Sequence, residues 1–352
     1  MKTIRFWTSH PDKTPKRWLS NFELDESSFD FVYDAVDPDY LFATEHIYIS
    51  NLVRDEFTRL CSDDRVMIYY ADECIYPDMN VFDYAVSFDF GARLGDRLGW
   101  RHPLAFSKEL FSAQFPREGL STADRELASK VGFCNFIYSN PAAHPRRDEI
   151  FHALSRYKKV DALGSHLNNV GNKTSRAAEN WGDLLVEMKR PYKFSIACEN
   201  ARYPGYVTEK ILSSFMARTV PIYWGDPNCT TFFNSKAFVD ANNFSDEDLL
   251  EVIREIDQND ARWREMVSEK PMTDDQYETF LRLDAEYKAF ARHIFEQPKS
   301  KAKRAPSGYW PDNYRRQFVK ARAVALSRRE RLFSLLGRET RLADWLIRMV
   351  RG

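Results

Sequence analysis

Glu199, Asn200, Tyr206, Glu209 and Lys210 lie close together in the chain, on a polar stretch interrupted by Pro204-Gly205. They combine carboxylates, an amide, a phenol and an ammonium. A cation beside the open N–H groups of a helix start suits a phosphate, and a carboxylate next to them suits a ribose diol. Such a set reads as a nucleotide-binding loop. The elements that must position it are visible on either side. Phe194 to Cys198 is a short apolar run, Val207 to Arg218 has helical spacing, and Thr219 to Trp224 is a second apolar run closed by Gly225 and Pro227. Strand, helix and strand make a βαβ unit, whose ligand site lies at the strand C-termini and the helix N-terminus. A merely structural βαβ unit would not need Glu-Asn, Tyr and Glu-Lys gathered at one end.

The strings Cys198-Glu199-Asn200, Gly205-Tyr206-Val207-Thr208-Glu209-Lys210 and Val220-Pro221-Ile222-Tyr223-Trp224-Gly225 resemble the signature of the α-1,3-fucosyltransferase family. The resemblance implies an α/β protein of GT-B type, two Rossmann-like domains facing each other. The C-terminal domain would hold the sugar nucleotide and the N-terminal domain the acceptor. It also implies GDP-β-L-fucose as donor and a sugar hydroxyl, often on N-acetylglucosamine, as acceptor, with inversion to the α linkage. Lys210 and the adjoining helix N-terminus would stabilise the leaving diphosphate. Glu209 would accept the ribose hydroxyls, and Asn200 and Tyr206 would hold fucose or phosphate oxygens.

Further residues take roles from the same resemblance. Tyr69-Tyr-Ala-Asp-Glu73-Cys-Ile-Tyr-Pro77 precedes Phe82-Asp83-Tyr84-Ala85. In the family a Glu shortly before such a proline is the general base, which places that role on Glu73, with Asp72 as the neighbour open to confusion with it. Inverting transfer needs one carboxylate to take the acceptor proton as the new C–O bond forms. Arg147, opening a helix with Ile150 and Leu154 at core spacing, would bind donor phosphate, and Arg146 is the alternate. Leu163-Gly164 followed by Asn168-Asn169 and Gly171 resembles a Gly-Gly turn of the family, with Leu163 where the first glycine stands. The arginine that some relatives carry near Leu167 is missing, which shifts weight onto Lys210; Lys173 or Arg176 could substitute.

No metal site is expected. Asp37-Pro-Asp39 and Asp246-Glu-Asp248 are literal DxD strings, but the second starts a helix, where acids are ordinary first-turn residues. Neither follows the nucleotide-binding strand. The seven histidines are scattered without HxH or HxxH spacing. The scheme requires no cofactor, although a divalent ion could assist product release.

At 352 residues, 43% apolar and 29% charged, the chain has the length and composition of a two-domain globular protein. Five cysteines without CxxC spacing argue for reduced thiols. No signal-peptide core and no 18-residue apolar run is present, so a cytoplasmic enzyme is expected rather than a membrane-spanning one. From Arg315 onward eleven Lys/Arg face three Asp/Glu, a local +8, which leaves −9 on the rest of a chain whose total is −1. A basic tail on an acidic body disfavours nucleic acid as a partner. The tail alternates Leu, Phe and Trp with arginines, so it can form an amphipathic helix that binds an anionic membrane surface. Bacterial surface-glycan acceptors are commonly lipid-linked, which would make peripheral attachment on the inner membrane face useful.

Three blocks emerge. Residues 1–129, with short runs at Ile4–Trp7, Phe29–Val32, Tyr40–Phe42, Val66–Tyr70 and Tyr84–Phe88 and a helical segment at Glu45–Leu60, read as the acceptor-binding α/β domain. Residues 130–297 repeat the βα pattern and read as the Rossmann-like nucleotide-sugar domain. Residues 298–352 read as a linker and the basic helical tail, the linker being Gln297–Ser307 by composition. Two other readings stand beside the fucosyltransferase: a GDP-sugar transferase with another donor sugar, and a GDP-sugar-binding protein without catalysis.

Overall fold

A computed structural model describes residues 1–10, 24, 28–62, 64–90, 92, 94–100, 120–171 and 181–317. Its first sheet uses β1 (Lys2–Thr8), β2 (Phe29–Tyr33), β3 (Tyr40–Ala43), β4 (Val66–Tyr70), β5 (Tyr84–Ser87) and the short β6 (Leu98–Trp100), in the order β2-β1-β3-β4-β5-β6. The pairings from β2 to β5 are parallel. β3, β4 and β5 are buried at every residue, as strands of a parallel sheet covered on both faces must be. Between β3 and β4 the expected single helix Glu45–Leu60 is two helices, α1 (His46–Ile49) and α2 (Asn51–Leu60). Ser50 makes the break. It turns to an extended backbone and its hydroxyl accepts from Val53 N at the start of α2.

The second sheet follows α3 (Leu120–Ala128). β7 (Gly132–Phe136) leads to α4 (Arg146–Ser155), β8 (Val160–Ala162) and α5 (Trp181–Lys189). Next come β9 (Tyr192–Cys198), α6 (Glu209–Met216), β10 (Val220–Trp224) and a two-residue β11 (Val239–Asp240). The order is β11-β10-β9-β7-β8, parallel throughout. After β7 the chain steps to β8 on one side, then crosses to β9 on the other, so β7 and β9 flank the topological switch point. In open α/β sheets ligands bind beyond the strand C-termini at that point. Helices α7 (Asp246–Gln258), α8 (Asp260–Ser268) and α9 (Asp274–Glu296) complete the described helices before α10 (Lys299–Ala302).

The chain divides into two compact units, one of Met1–Ser87, Arg93–Gly99 and the stretch that starts at Tyr287, the other of Phe88–Ala92 and Trp100–Glu286. This differs from the blocks 1–129, 130–297 and 298–352. Trp100 and residues 120–129 go with the second unit, and the chain returns to the first within α9. Tyr287, Ala291, Ile294 and Phe295 lie at helical spacing and join the core of the first sheet, where the Phe295 ring meets Phe29, Phe31, Tyr40 and Phe42. The earlier part of α9 puts Tyr277, Phe280 and Leu283 against the core of the second unit. Periodicity reveals that a helix has an apolar face but not which sheet covers it.

The expected linker is also corrected. Ala302 is fully buried, and Asp83, itself buried, clasps the stretch that follows. Asp83 Oδ1 accepts from Arg304 N and Ala305 N, both at 2.6 Å, while Oδ2 accepts from Met67 N at 2.8 Å and faces Lys303 Nζ at 3.3 Å. Pro, Lys and Arg made 297–307 read as solvated, yet the backbone amides and one lysine of that stretch satisfy a buried carboxylate. The acid of the Phe82-Asp83-Tyr84-Ala85 string is therefore an anchor. Residues beyond 317, the bulk of the expected amphipathic tail, lie outside the described residues, as do Lys173 and Arg176.

Candidate functional site

The loop between β9 and α6 folds around one carboxylate. Glu199, the first residue after β9, is fully buried, and its amide donates to Trp224 O of the neighbouring strand at 2.8 Å. Its side chain accepts from Thr208 N at 2.8 Å, Thr208 Oγ1 at 2.7 Å and Lys210 Nζ at 3.1 Å. Lys210 Nζ also donates to Thr208 Oγ1 at 2.8 Å and lies 3.8 Å from Glu209. Burial pushes the Glu199 carboxyl upward, and the Lys210 ammonium is the main opposing influence. Glu199 thus holds the cation and the first turn of α6 in register. Sequence reasoning places Glu199 on the loop but assigns it no such role. The signal for one is its place directly after an apolar strand, where a charged residue must be paired if buried.

From below, Lys189 at the end of α5 fixes the same helix. It is almost wholly buried, and its Nζ donates to Ser213 Oγ at 2.8 Å, Ser214 Oγ at 3.0 Å and Lys210 O at 3.1 Å. Burial without a carboxylate partner lowers its pKa to about 7.

Tyr206 is buried, its ring edge-on to Phe88 with centroids 5.5 Å apart. The residue before it must be glycine. Gly205 has φ +82°, and a Cβ there would stand 2.1 Å from Phe88 O. Asn200 is half-buried, and its carbonyl accepts from His144 N at 2.9 Å, tying the loop after β9 to the loop after β7. The His144 ring lies over Trp224 with centroids 4.6 Å apart.

The structure separates the two candidate arginines. Arg146 pairs with Asp246 and donates to Phe244 O, which joins α4 to α7. Arg147 is 1% exposed. Its guanidinium lies 4.8 Å over the Tyr138 ring, and its Nε donates to Asp148 Oδ1 at 3.0 Å, whose other oxygen meets His166 Nε2 at 2.7 Å. Its Nη1 is buried with no hydrogen-bond partner among the described residues. A buried charged donor left open costs free energy until an anion arrives. Tyr138 in turn takes a bond from Cys198 N at 2.7 Å, so Arg147 is keyed to the end of β9, next to Glu199.

The loop after β8 is built by its amides. Asn169 accepts from Ala162 N at 2.9 Å and donates to Val160 O at 2.8 Å, and Asn168 donates to Gly164 O at 2.8 Å. Gly164 is the glycine this turn needs, since a Cβ there would lie 2.0 Å from Tyr138 O. Leu163 at the preceding position fits because its amide donates to Phe136 O at 2.9 Å in continuation of the sheet.

Glu73 belongs to the first unit. It is exposed on the loop beyond β4, next to half-buried Asp72. Both DxD strings have other employment. Asp37 and Asp39 bind Arg5, with Arg65 on Asp37 and Lys299 on Asp39. Asp246 holds Arg146, and Asp248 N bonds the N-cap Ser245 Oγ at 3.2 Å. Among the described residues no cluster of His, Cys, Asp and Glu has metal-site geometry, none of the five cysteines forms a disulfide, and no helix is long and apolar enough to cross a membrane.

Among known proteins, residues 127–287 match the family described as glycosyltransferase family 10 (fucosyltransferase) C-term. A putative fucosyltransferase of Acanthamoeba polyphaga mimivirus is 33% identical over 198 residues, 55% of this chain and 32% of that protein. An α-(1,3)-fucosyltransferase of Helicobacter pylori is 29% identical over 233 residues, 58% of this chain and 47% of that one. The chain thus spans less than half the length of either relative. A crystal structure of an α1,3-fucosyltransferase with GDP superposes at a TM-score of 0.62, with 22% identity over 83% of this chain and 91% of the other. The same comparison with a GDP-fucose complex gives 0.60 and 23%. These two likenesses establish the fold.

Proposed function

We propose, for a chain whose residues 127–287 match the glycosyltransferase family 10 (fucosyltransferase) C-term family, an inverting transferase that moves L-fucose from GDP-β-L-fucose to a sugar hydroxyl. The observation that carries the reading is the pair of cations at the switch point of the second sheet. Arg147 is buried with one open nitrogen, and Lys210 is held on Glu199 at the start of α6. Such a pair is suited to a diphosphate, the group on which negative charge grows as the donor breaks.

In the proposed reaction the acceptor oxygen bonds to the anomeric carbon of fucose while the bond from that carbon to the β-phosphate oxygen breaks. The bonding electrons leave with GDP, and the acceptor proton passes to Glu73. Arg147 and Lys210 take up the diphosphate charge. Glu209 accepts the ribose hydroxyls, and Asn200 and Tyr206 hold fucose or phosphate oxygens. An α-1,3 linkage, an N-acetylglucosamine-type acceptor and a lipid-linked bacterial surface glycan are the finer parts of the proposal. So is work on the cytoplasmic face of a membrane, reached through the basic tail; these rest on the motif resemblance and the +8 segment from Arg315.

The test is GDP release from GDP-fucose and GDP-mannose against a panel of sugar acceptors, with Glu73→Ala beside the natural chain. Fucose transfer that Glu73→Ala abolishes while GDP affinity persists supports the reading. Preference for GDP-mannose reassigns the donor, and GDP binding without transfer to any acceptor favours a binding protein.

A further inference from the structure

The first sheet has a switch point of its own. From β1 the chain goes to β2 on one side and then to β3 on the other, so the crevice where ligands gather in such sheets opens beyond β1 and β3. Ser9 and His10 follow β1 there, and Thr44, Glu45 and His46 follow β3. β3 and β4 are parallel with Ala43 opposite Tyr69. Glu45 lies two residues beyond that pair on its chain and Ala71 two residues beyond it on the other, with Asp72 and Glu73 next in sequence.

Glu45 is unusual among these residues. It is 7% exposed, and its Oε2 is buried without a hydrogen-bond partner among the described residues. Its Oε1 lies 3.3 Å from His46 Nδ1, a nitrogen that Thr44 Oγ1 meets at 2.8 Å. Titratable groups face it from each neighbouring element: His46 on α1, Tyr69 on β4, and Asp72 and Glu73 beyond β4, with the His10 ring against His46. Among the described residues no lysine or arginine pairs with it. An ionised carboxylate without a cationic partner is costly there, so burial favours the neutral, protonated form.

We propose that Glu45 is a positioning residue for proton transfer at the Asp72–Glu73 pair, a buried carboxylic acid whose ionisation strengthens that pair as a base. The proposal rests on the role given to Glu73 above. Burial first, then the charges of Asp72 and Glu73, push the Glu45 carboxyl up to about 7. Below that pH Glu45 is neutral, and the pair feels only its own charges. Above it a third negative charge stands beside the pair and favours transfer of the acceptor proton to it. Coupling of this kind is mutual: whatever Glu45 does to the pair, the pair does to Glu45.

The experiment is a carboxyl-carbon NMR titration of the full chain labelled at Asp and Glu, in the natural sequence, Glu45→Gln and Glu73→Gln, with pH profiles of kcat/KM and calorimetric GDP affinity. Glu45 should titrate near neutrality, and Glu73 should show a second inflection at the same pH that Glu45→Gln removes. Glu73→Gln should lower the Glu45 midpoint. That arm serves also if Glu45→Gln fails to fold. The rise of kcat/KM across neutrality should vanish in Glu45→Gln while GDP affinity stays within twofold. Glu45 titrating with the exposed glutamates, a Glu45 midpoint indifferent to Glu73→Gln, or a pH profile unchanged by Glu45→Gln overturns the proposal. If no acceptor is fucosylated, the transferase reading fails, yet the titrations still decide the coupling.

Discussion

Lys210 has an observed bond to Glu199 and a proposed one to a diphosphate. Replacing it with alanine removes a charge-assisted bond to the ligand and strands a fully buried carboxylate at 3.1 Å from where the ammonium stood. Losing the ligand bond costs about 1.5–3 kcal/mol, roughly a ten- to hundredfold loss of GDP affinity. A lowered melting temperature should accompany it, because Glu199 must then be protonated or hydrated. Calorimetry and thermal melts on Lys210→Ala check both, and unchanged GDP affinity would remove Lys210 from the diphosphate site. Glu45 gives a second residue-level expectation. Its folded pKa of about 7 stands above its unfolded value near 4.5, so its contribution to stability is complete below the lower value and drains away as pH rises to the upper one. Glu45→Gln should remove that decline, on the order of 3 kcal/mol between the two values. Denaturant melts at pH 4.5 and 7.5 measure it, and equal slopes for both proteins would contradict it.

At the level of elements, the behaviour of α6 depends on Lys189. A lysine lowered to about 7 inside the fold stays charged up to about 10.5 once unfolded. Between those values the unfolded chain holds the extra proton, so this residue makes stability rise with pH, by about 1.4 kcal/mol per unit at most. Lys189→Met should flatten that rise between pH 7.5 and 9.5 in chemical denaturation. A rise that persists would mean that another group titrates there. The substitution also loosens Ser213 and Ser214 from the end of α5, so GDP affinity should fall although Lys189 touches no ligand in the proposed scheme. Strand β9, helix α6 and strand β10 were legible in the sequence, because apolar runs of strand length flank a helical period and Gly-Pro punctuation closes them. The break of the helix after β3 at Ser50 was not, because a serine inside a helical pattern gives the same signal whether it caps or continues.

For the whole molecule, the position of the C-terminal stretch decides what a truncation tests. Asp83 is satisfied largely by the amides of Arg304 and Ala305 and faces Lys303, so a chain cut after Ser300 leaves this buried carboxylate with Met67 N alone of those partners. Breaking such a buried set costs about 3–5 kcal/mol, and that shortened protein should melt earlier than the full chain by differential scanning calorimetry. A chain cut after Gln317 keeps the clasp. It should fold as the full chain does and retain activity on soluble acceptors. It should also lose binding to anionic vesicles, since most of the basic residues in the +8 segment are then absent. Equal vesicle binding by the two proteins at physiological salt would end the membrane reading of the tail.

Chemistry carried by contiguous residues was determined by the sequence alone. Glu199 through Lys210 span one loop and the first turn of α6, so their strand and helix bring them together wherever the unit sits, and two parallel α/β sheets follow from the alternation of apolar runs and helical segments. Contacts across long separations were decided by tertiary structure. Whether Arg146 or Arg147 is the buried arginine depends on Asp246, far along the chain; whether 303–305 is linker or anchor depends on Asp83. Which sheet receives the end of α9 depends on aromatic rings near the other terminus. The charge state of Glu45 depends first on its burial and then on the carboxylates of Asp72 and Glu73 beyond the neighbouring strand. The physical reason is the same in each case: local pattern sets what a side chain can offer, but burial and its cost belong to the surroundings, and those are assembled only when distant segments pack.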